Sequence, residues 1–326
     1  MKINMAHGSG GKASSELMED IFGKYFNNEI LARMEDAAVL QINGKIAFST
    51  DTFVVNPIFF KGGDIGKLAV CGTVNDLLMM GAEPKYLTAG FILEEGLDKD
   101  ELEIIVASMA KTAAEAGVIV VAGDTKVIEG TGGLYINTSG IGIIPNGRNI
   151  SSANLSAGDV IILSGNLGEH HACILSSRLG IENSIASDCS ILKPITQVLF
   201  ENNIAVKAMR DVTRGGLGTV LNEFAEASKC RIEIKEDSIP VSQEVKGFSD
   251  ILGLDPLYMA NEGKMIIAVS NEDADRALHL IKETAAGENA SIIAKVTDGK
   301  GVIMRTYLGG SRVVDMLFGE GLPRIC

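Results

Sequence analysis

The chain has 326 residues, of which 46% are hydrophobic and 22% charged, with a formal net charge of −13. This composition excludes intrinsic disorder, and the length predicts about two domains. The acidic balance argues against nucleic-acid binding and against a polybasic membrane anchor, and no run of about 18 apolar residues predicts a membrane span.

Five scattered cysteines favour reduced thiols in a cytoplasmic protein over a disulfide framework. The chain contains no CxxC or HExxH motif, which argues against a zinc site.

The first half predicts alternating strands and helices. A strand at 45–50 leads to Asp51, and a helix covers 65–80. Asp98 and Glu101 have capping-box spacing at the start of a second helix. A buried strand at 118–122 is expected to end at Gly123, and a further strand covers 134–144.

Turn-forming residues at 145–149 mark the best domain boundary. Beyond them the pattern predicts a strand at 160–163 and mainly helices up to about residue 229. Further strands are expected at 231–235, 265–270, 291–296 and 301–305, with a helix at 272–285. The predicted fold class is α/β (α+β), with domains at 1–148 and 149–318 and a flexible tail at 319–326.

Asp36, Asp51, Asp76 and Asp124 lie in turn-like or apolar surroundings. A carboxylate in apolar surroundings must be paired, hydrogen-bonded or bound to a cation. One interpretation is a magnesium–nucleotide site, because Mg²⁺ prefers carboxylate and phosphate oxygens. The alternative is ordinary helix capping and turns, which explains Asp76 least well because its neighbours are apolar.

Two glycine-rich segments, 7–12 and 210–218, precede predicted helices and could bind phosphate through backbone N–H groups. Neither is a Walker A loop. Lys126 and Glu262 are candidate proton-transfer groups, with surface salt bridges as the alternative. Lys126 follows Asp124 by two residues, so the two side chains would share a face in extended structure.

Cys326 is the last residue and has two interpretations. It is either an accident of a disordered tail or a mobile thiol nucleophile that carries a group between two sites. His170 and His171 are adjacent, so their side chains diverge and hydrogen bonding at a helix start is expected instead of joint metal binding.

Seven motifs together give the chain a specific resemblance. They are His7-Gly8-Ser9-Gly10-Gly11, Glu35-Asp36-Ala37-Ala38, Ser49-Thr50-Asp51, the segment 74–82, Gly123-Asp124-Thr125-Lys126, the segment 210–216 and the terminal Pro323-Arg324-Ile325-Cys326. In this order they resemble the HypE family of hydrogenase maturation proteins. That family belongs to the ATP-using superfamily of aminoimidazole ribonucleotide synthetase and selenophosphate synthetase.

The resemblance implies a two-domain aminoimidazole ribonucleotide synthetase-like fold and a homodimer whose N-terminal domains pair into a barrel-like sheet. It implies ATP and Mg²⁺ as cofactors, bound near the N-terminal domain's acidic loops. The implied metal ligands are Asp36, Asp51, Asp76 and Asp211. The implied nucleotide contacts are Lys12, Gly10, Gly11, Thr50, Asn75, Asp124 and Thr125.

The implied activity is an ATP-dependent carbamoyl dehydratase that makes the cyanide ligands of nickel–iron hydrogenase. A carbamoyltransferase, HypF, would load Cys326, and dehydration would leave a thiocyanate there. The HypC–HypD complex would accept the cyanide. Lys126 and Glu262 match family motifs and are the implied proton-handling pair, whereas His171 departs from the glycine common in the family.

Three other functions stay open from the sequence. Selenophosphate synthetase usually carries a cysteine or selenocysteine in the N-terminal glycine-rich loop, which this chain lacks, and aminoimidazole ribonucleotide synthetase has no use for Cys326. A non-catalytic thiol carrier or scaffold would not need all four aspartates and both glycine-rich segments.

Overall fold

The computed structural model describes residues 1–8, 12–33 and 37–317. Its helices are α1 (Lys12–Leu17, continued by a π-helical stretch at Met18–Gly23), α2 (Ile65–Met79), α3 (Lys99–Ala116), α4 (Glu169–Leu179), α5 (Lys193–Glu201), α6 (Gly216–Ser228), α7 (Gln243–Leu252) and α8 (Ala274–Lys282). The strands are β1 (Lys45–Phe53), β2 (Phe59–Phe60), β3 (Gly63–Asp64), β4 (Glu83–Glu94), β5 (Ile119–Ile128), β6 (Leu134–Ile144), β7 (Val160–Leu163), β8 (Val206–Asp211), β9 (Arg231–Lys235), β10 (Met265–Val269), β11 (Ser291–Thr297), β12 (Gly301–Arg305) and β13 (Ser311–Val313).

The first half is built on a four-stranded sheet in the order β1-β6-β4-β5. Only the β4–β5 pair is parallel. Helix α2 contacts β1 and β6 on one side and β8 of the second half on another. Because it has neighbours on several sides, α2 is apolar nearly all round and almost wholly buried.

The second half is built on a seven-stranded sheet in the order β13-β12-β9-β11-β7-β10-β8. Its central strands are continuous apolar runs, because both faces are covered. One face joins the core that also contains α2 and α5, and the other packs under α6. The core is therefore continuous between the two halves.

The outer face of the four-stranded sheet carries exposed apolar side chains. On β1, residues alternate between an inner face and an outer face. Ile46 and Phe48 point outward with 47% and 65% of their surfaces exposed, and Ile92 and Ile128 are exposed on neighbouring strands. This exposed face, which we call the outer face, is unusually apolar for a surface.

Two predictions about strands were wrong. The region before residue 229 contains strand β8, which the helical pattern hid; its pairing with β10 is a tertiary effect. Strand β5 does not end at Gly123 but continues to Ile128, because Asp124 and Lys126 pair with Gly90 and Ile92 of β4. Asp51 likewise lies inside β1 and not beyond its end.

Five further elements were not predicted, namely β2, β3, β4, α7 and β13, and the remaining elements match the predicted order. Helix α8 is shorter than predicted, and Asp98 caps α3 by accepting a hydrogen bond from the Asp100 N–H at 3.1 Å, not through a box with Glu101. In the described parts of the chain, no helix is both long and apolar enough to cross a membrane.

The last described residues are held on α6. The Asn222 side chain donates to the carbonyl of Val314 at 2.8 Å, and the Tyr258 hydroxyl donates to the carbonyl of Asp315 at 2.9 Å. The N–H of Leu317 donates to Thr219 at 3.5 Å. The chain therefore leaves the described structure from the side of α6.

Candidate active site

A cavity of about 570 Å³ lies where the two halves meet. Strand β1, helix α2, the end of β8 and the loop before β10 supply its walls. It brings together five of the predicted site residues, which are Thr50, Asp51, Asp76, Asp211 and Glu262. Residues from four separate segments therefore converge on one space.

Asp76 lies on α2 and faces β1. The Ser49 hydroxyl donates a 2.6 Å hydrogen bond to Oδ2 of Asp76. Ser49 and Asp51 share the inner face of β1 because they are two residues apart. The strand can approach this closely because α2 has Gly72 there; a Cβ on Gly72 would lie 2.7 Å from the Phe53 ring.

Asp211 ends β8 and is followed by a tight turn into α6. Gly215 and Gly216 both have positive φ, of 76° and 62°, a backbone conformation that residues with side chains rarely adopt. Two cations line the cavity beside Asp211. Arg210 forms a 3.0 Å ion pair with Glu223, whereas Arg214 reaches the same wall from the turn.

The carboxyl groups of the cavity have raised pKa values. Burial, followed by the nearby charge of Asp76, raises the pKa of Asp211 to about 7. Burial is also the main cause of the raised pKa of Asp76, which the hydrogen bond from Ser49 partly offsets. Burial and the charge of Asp188 hold the pKa of Glu262 well above its usual range. The cavity therefore brings several buried acidic groups together, and its surroundings favour their protonated forms.

This donor set fits Mg²⁺. Asp51, Asp76 and Asp211 supply hard oxygen donors, and their mutual repulsion would be relieved by a cation. Among the described residues, no three acidic, histidine or cysteine side chains form a ready-made metal cluster. Mg²⁺ usually binds through one or two carboxylates plus substrate phosphates and water, so a partial set suits a metal–nucleotide complex.

The loop that carries Glu262 is fixed to the end of β8. The Asn261 side chain accepts from the Gly168 N–H at 2.7 Å and donates to the Val212 carbonyl at 2.9 Å. Glu262 is only 6% exposed, so the salt-bridge alternative considered for it is wrong. It is a buried carboxyl group on the cavity wall.

A second group of predicted residues lies apart from this cavity. Asp124 and Thr125 line another cavity, of about 370 Å³, which is mainly apolar. Lys126 forms a 2.6 Å ion pair with Asp124 on the exposed surface, as the shared face predicted. Within one chain, Lys126 is not among the residues that line the cavity of Glu262. The lysine lowers the pKa of Asp124 through this hydrogen bond.

The glycine-rich N-terminal segment begins beside this second group. A Cβ on Gly8 would lie 2.7 Å from the backbone nitrogen of Val127. Lys12 begins α1, is exposed and pairs with Glu16 at 3.6 Å. Four predicted site residues lie outside the described parts of the chain, namely Gly10, Gly11, Asp36 and Cys326.

Thr50 and Asn75 are already hydrogen-bonded to the protein. The Thr50 hydroxyl accepts from Ser139 at 2.9 Å and donates to the Thr138 carbonyl at 3.3 Å. Asn75 is 2% exposed, and both polar atoms of its amide bond to the main chain at Ser190 and Leu192. Contact of Asn75 with a nucleotide would require these bonds to break, and that assignment stays a prediction.

His170 and His171 begin α4, but neither caps the helix. Nδ1 of His170 bonds to the Ser187 hydroxyl at 2.7 Å, and Nδ1 of His171 accepts from the Ala260 N–H at 3.4 Å. Both rings are buried, and burial lowers the pKa of each to about 4. They are therefore neutral parts of the core at pH 7.

Sequence reasoning missed four residues of this site. Ser49 bonds to the Asp76 carboxylate, Asp188 accepts from the main-chain N–H of Glu262, and Arg210 and Arg214 supply positive charge. The arginines stood within a glycine-rich motif and could have been found there. Asp188 has no local pattern that reveals its contacts, since they are to residues more than 70 positions away.

Comparison with known proteins identifies both halves of the chain. Residues 34–144 match the N-terminal domain model of AIR synthase related proteins, and residues 156–306 match the C-terminal domain model. The chain is 45% identical to carbamoyl dehydratase HypE of Escherichia coli over 99% of both chains.

Solved structures agree with this comparison. The crystal structure of hydrogenase maturation protein HypE in complex with ATP has 46% identity and a TM-score of 0.95, with 99% of both chains covered. HypE in the HypE–HypF complex has 45% identity and a TM-score of 0.82, with 92% of this chain and 99% of that chain covered.

The full-length similarity and the two-domain architecture agree with the motifs that meet at the domain junction. This chain therefore belongs to the HypE family of hydrogenase maturation enzymes, the carbamoyl dehydratases.

Proposed function

We propose that this chain uses ATP to dehydrate an S-carbamoyl group on Cys326 to a thiocyanate, which supplies cyanide for the iron of nickel–iron hydrogenase. The observation that carries the proposal is the convergence of Asp51, Asp76, Asp211 and Glu262 on one cavity. The family's name and the ATP complex of a relative support it.

The reaction balances without an oxidant or reductant. The thiocarboxamide oxygen attacks the γ-phosphorus of ATP, forming a C–O–P linkage and releasing ADP. The nitrogen loses its two protons in the course of the reaction, and the C–O bond breaks to release phosphate. The products are an S-cyano cysteine, ADP and phosphate, so the elements of water end in the phosphate.

Glu262 is the proposed acceptor of a proton from nitrogen, because it lies on the cavity wall. Burial raises its pKa, which makes its carboxylate a stronger base and lowers the fraction that is ionised. Lys126 is the second proposed proton-handling residue, although within one chain it lies on the surface beside Asp124. A partner subunit is one way to bring it to a cavity.

Asp36, Asp51, Asp76 and Asp211 would hold Mg²⁺, which supplies neutralisation of phosphate charge when bound. Arg210 and Arg214 add fixed positive charge along the same wall. The other nucleotide contacts proposed are those predicted from the motifs, namely Lys12, Gly10, Gly11, Thr50, Asn75, Asp124 and Thr125.

The proposed partners are HypF as carbamoyl donor, HypC–HypD as cyanide acceptor, and a second copy of this chain. The HypE–HypF complex of a relative supports the first. The exposed apolar outer face of the four-stranded sheet supports the homodimer, with the N-terminal domains pairing there. We also propose domain limits at 1–148 and 149–318, with 319–326 as the tail.

Intact-mass spectrometry tests the reaction directly. Protein carbamoylated at Cys326 should lose the mass of one water molecule when Mg–ATP is added. Cys326→Ala should take up no carbamoyl group, whereas Cys230→Ala, which removes a partly exposed thiol, should behave as wild type. ATP turnover with an unchanged adduct would contradict the proposal.

A further inference from the structure

Residues 187–192, which we call the strap, run without regular structure between α4 and α5. The strap lies between two parts of the candidate active site. One side of it contacts α2, which carries Asp76, and the other contacts the loop that carries Glu262. No motif predicted a role for it.

The strap is joined to α2 by one side chain. Nδ2 of Asn75 donates to the Ser190 carbonyl at 3.0 Å, and Oδ1 of Asn75 accepts from the Leu192 N–H at 2.9 Å. The Asn75 amide therefore pairs with the main chain of the strap through one donated and one accepted hydrogen bond, as the backbone of a neighbouring β-strand would. Because Asn75 is buried, losing them would leave unpaired polar groups, which costs about 1–3 kcal/mol each.

The strap is joined to the Glu262 loop by a carboxylate. The Asp188 side chain is fully buried, at 0% exposure. Its Oδ1 accepts from the Glu262 N–H at 3.2 Å, and its Oδ2 accepts from the Gly263 N–H at 3.0 Å. Lys264 lies 3.6 Å from the same carboxylate and partly neutralises it.

The loop that carries Glu262 packs tightly against the strap at this junction. A Cβ on Gly263 would lie 1.9 Å from the carbonyl oxygen of Asp188 and 2.4 Å from the hydroxyl of Ser190. The Ser190 N–H also donates to the Glu262 carbonyl at 3.4 Å. The backbone of Glu262 is therefore bonded to the strap through both its N–H and its carbonyl.

We propose that Asp188 and Asn75 are positioning residues, which act through the strap to set Glu262 at a fixed place relative to Asp76. The inference rests on the proposed function, because Glu262 and Asp76 are its base and one of its metal ligands. It gives Asn75 a role different from the nucleotide contact predicted from its motif.

Asp188→Asn tests the contact with the loop. The amide keeps one acceptor oxygen but faces the second backbone N–H with a donor group, so Glu262 should move. In single-turnover dehydration of carbamoylated protein, the maximal rate should fall about 10- to 100-fold, the usual cost of a misplaced catalytic group. The ATP concentration for half-maximal rate should change less than about twofold.

Asn75→Ala tests the contact with α2 and separates the two roles. If Asn75 positions the strap, the maximal rate should fall while half-saturating ATP stays within about twofold of wild type. If Asn75 instead binds nucleotide, the ATP concentration for half-maximal rate should rise, and the rate at saturating ATP should equal that of wild type. The second result would overturn the inference for Asn75. The Asn75→Ala variant also keeps the inference testable if Asp188→Asn does not fold.

Asp159→Asn is the matched control. Asp159 is also a buried carboxylate that accepts a backbone N–H, from Ser156 at 2.8 Å, and pairs with a lysine, Lys207, at 2.6 Å. Asp159 immediately precedes the first residue of β7, whereas Asp211 is the last residue of β8. Because β7 and β8 both run antiparallel to β10, the two aspartates lie at opposite ends of the strands. This variant should lose comparable unfolding free energy in urea yet keep the wild-type rate.

Two failures are distinguishable. If carbamoylated wild-type protein does not lose water with Mg–ATP, the proposed function is wrong. If wild type reacts but Asp188→Asn reacts equally fast, the function stands and the inference for Asp188 is wrong.

Discussion

The hydroxyl of Ser49 donates to the carboxylate of Asp76 at 2.6 Å, joining β1 to α2 at the wall of the cavity. This bond favours the ionised carboxylate and lowers the pKa that burial raises. Ser49 therefore keeps Asp76 in the form that binds a cation.

Ser49→Ala should weaken binding of Mg–ATP, because Asp76 would lose a charge-assisted hydrogen bond and ionise less readily. We expect about a 5- to 30-fold rise in the dissociation constant, from a bond worth about 1–2 kcal/mol. Isothermal titration calorimetry with a non-hydrolysable ATP analogue measures it. Ser228→Ala removes a hydroxyl that donates to the Phe224 carbonyl and accepts from the Cys230 N–H at the end of α6, and it should leave affinity unchanged. Equal affinities in both variants would exclude this role for Ser49.

Asp211→Asn should abolish ATP turnover without unfolding the protein. The pKa of about 7 shows that Asp211 is close to half protonated at pH 7 and repels Asp76, so a neutral amide relieves strain between charges. We expect turnover to fall about 100-fold or more, as for loss of a metal ligand, while the urea midpoint holds or rises. Undiminished turnover would show that Asp211 does not hold the metal.

Protonation of His170 and His171 should cost the folded protein stability as the pH falls from about 6.5 toward 4. His170 and His171 have pKa values of about 4 in the folded state, so the unfolded chain binds more protons in this window. At pH 5.5 each histidine should cost about 1.4 kcal/mol relative to pH 7.5. The raised pKa of Asp211 acts in the opposite direction, so urea unfolding of wild type and of a histidine variant at both pH values is needed to isolate the histidine contribution.

His171→Gln should remove about half of that pH dependence. His279→Gln is the control, because His279 is exposed and pairs with Glu283 on the surface of α8. If both variants keep the full wild-type dependence, the buried histidines are not its source.

Phe48→Glu should convert the proposed dimer to a monomer. Phe48 is 65% exposed on the outer face, and a charge there would be desolvated at an apolar interface. Light scattering coupled to size exclusion measures the mass. Ile251→Glu alters a residue that is 84% exposed on α7, away from this face, and should leave the dimer intact. A Phe48→Glu dimer would show that the copies do not meet there.

Local pattern predicted most of the fold, because buried strands and amphipathic helices follow hydrophobic periodicity. It did not predict β4, and it was wrong at two other strands, β8 and the second half of β5. In both, pairing with a neighbouring strand overrides the local preference, and β5 carries Asp124 and Lys126 on its exposed side.

The candidate site was predicted only as a set of residue types. The motifs predicted Asp51, Asp76, Asp211 and Glu262, but not that Lys126 would lie apart from them. The role of Asp188 could not be predicted at all, because what a buried hydrogen-bond acceptor does depends on which N–H groups the tertiary fold places beside it.

The anchoring of Val314 and Leu317 on α6 sets a limit on where Cys326 can be served. Nine residues follow Leu317, and a fully extended chain of that length spans about 30 Å. Under the proposed function, a protein that loads the thiol, or takes cyanide from it, would therefore have to dock within that radius of α6. Because the segment after Leu317 is short, the proposed carbamoyl donor and cyanide acceptor would need the same region of the surface. They would therefore have to bind there one after the other.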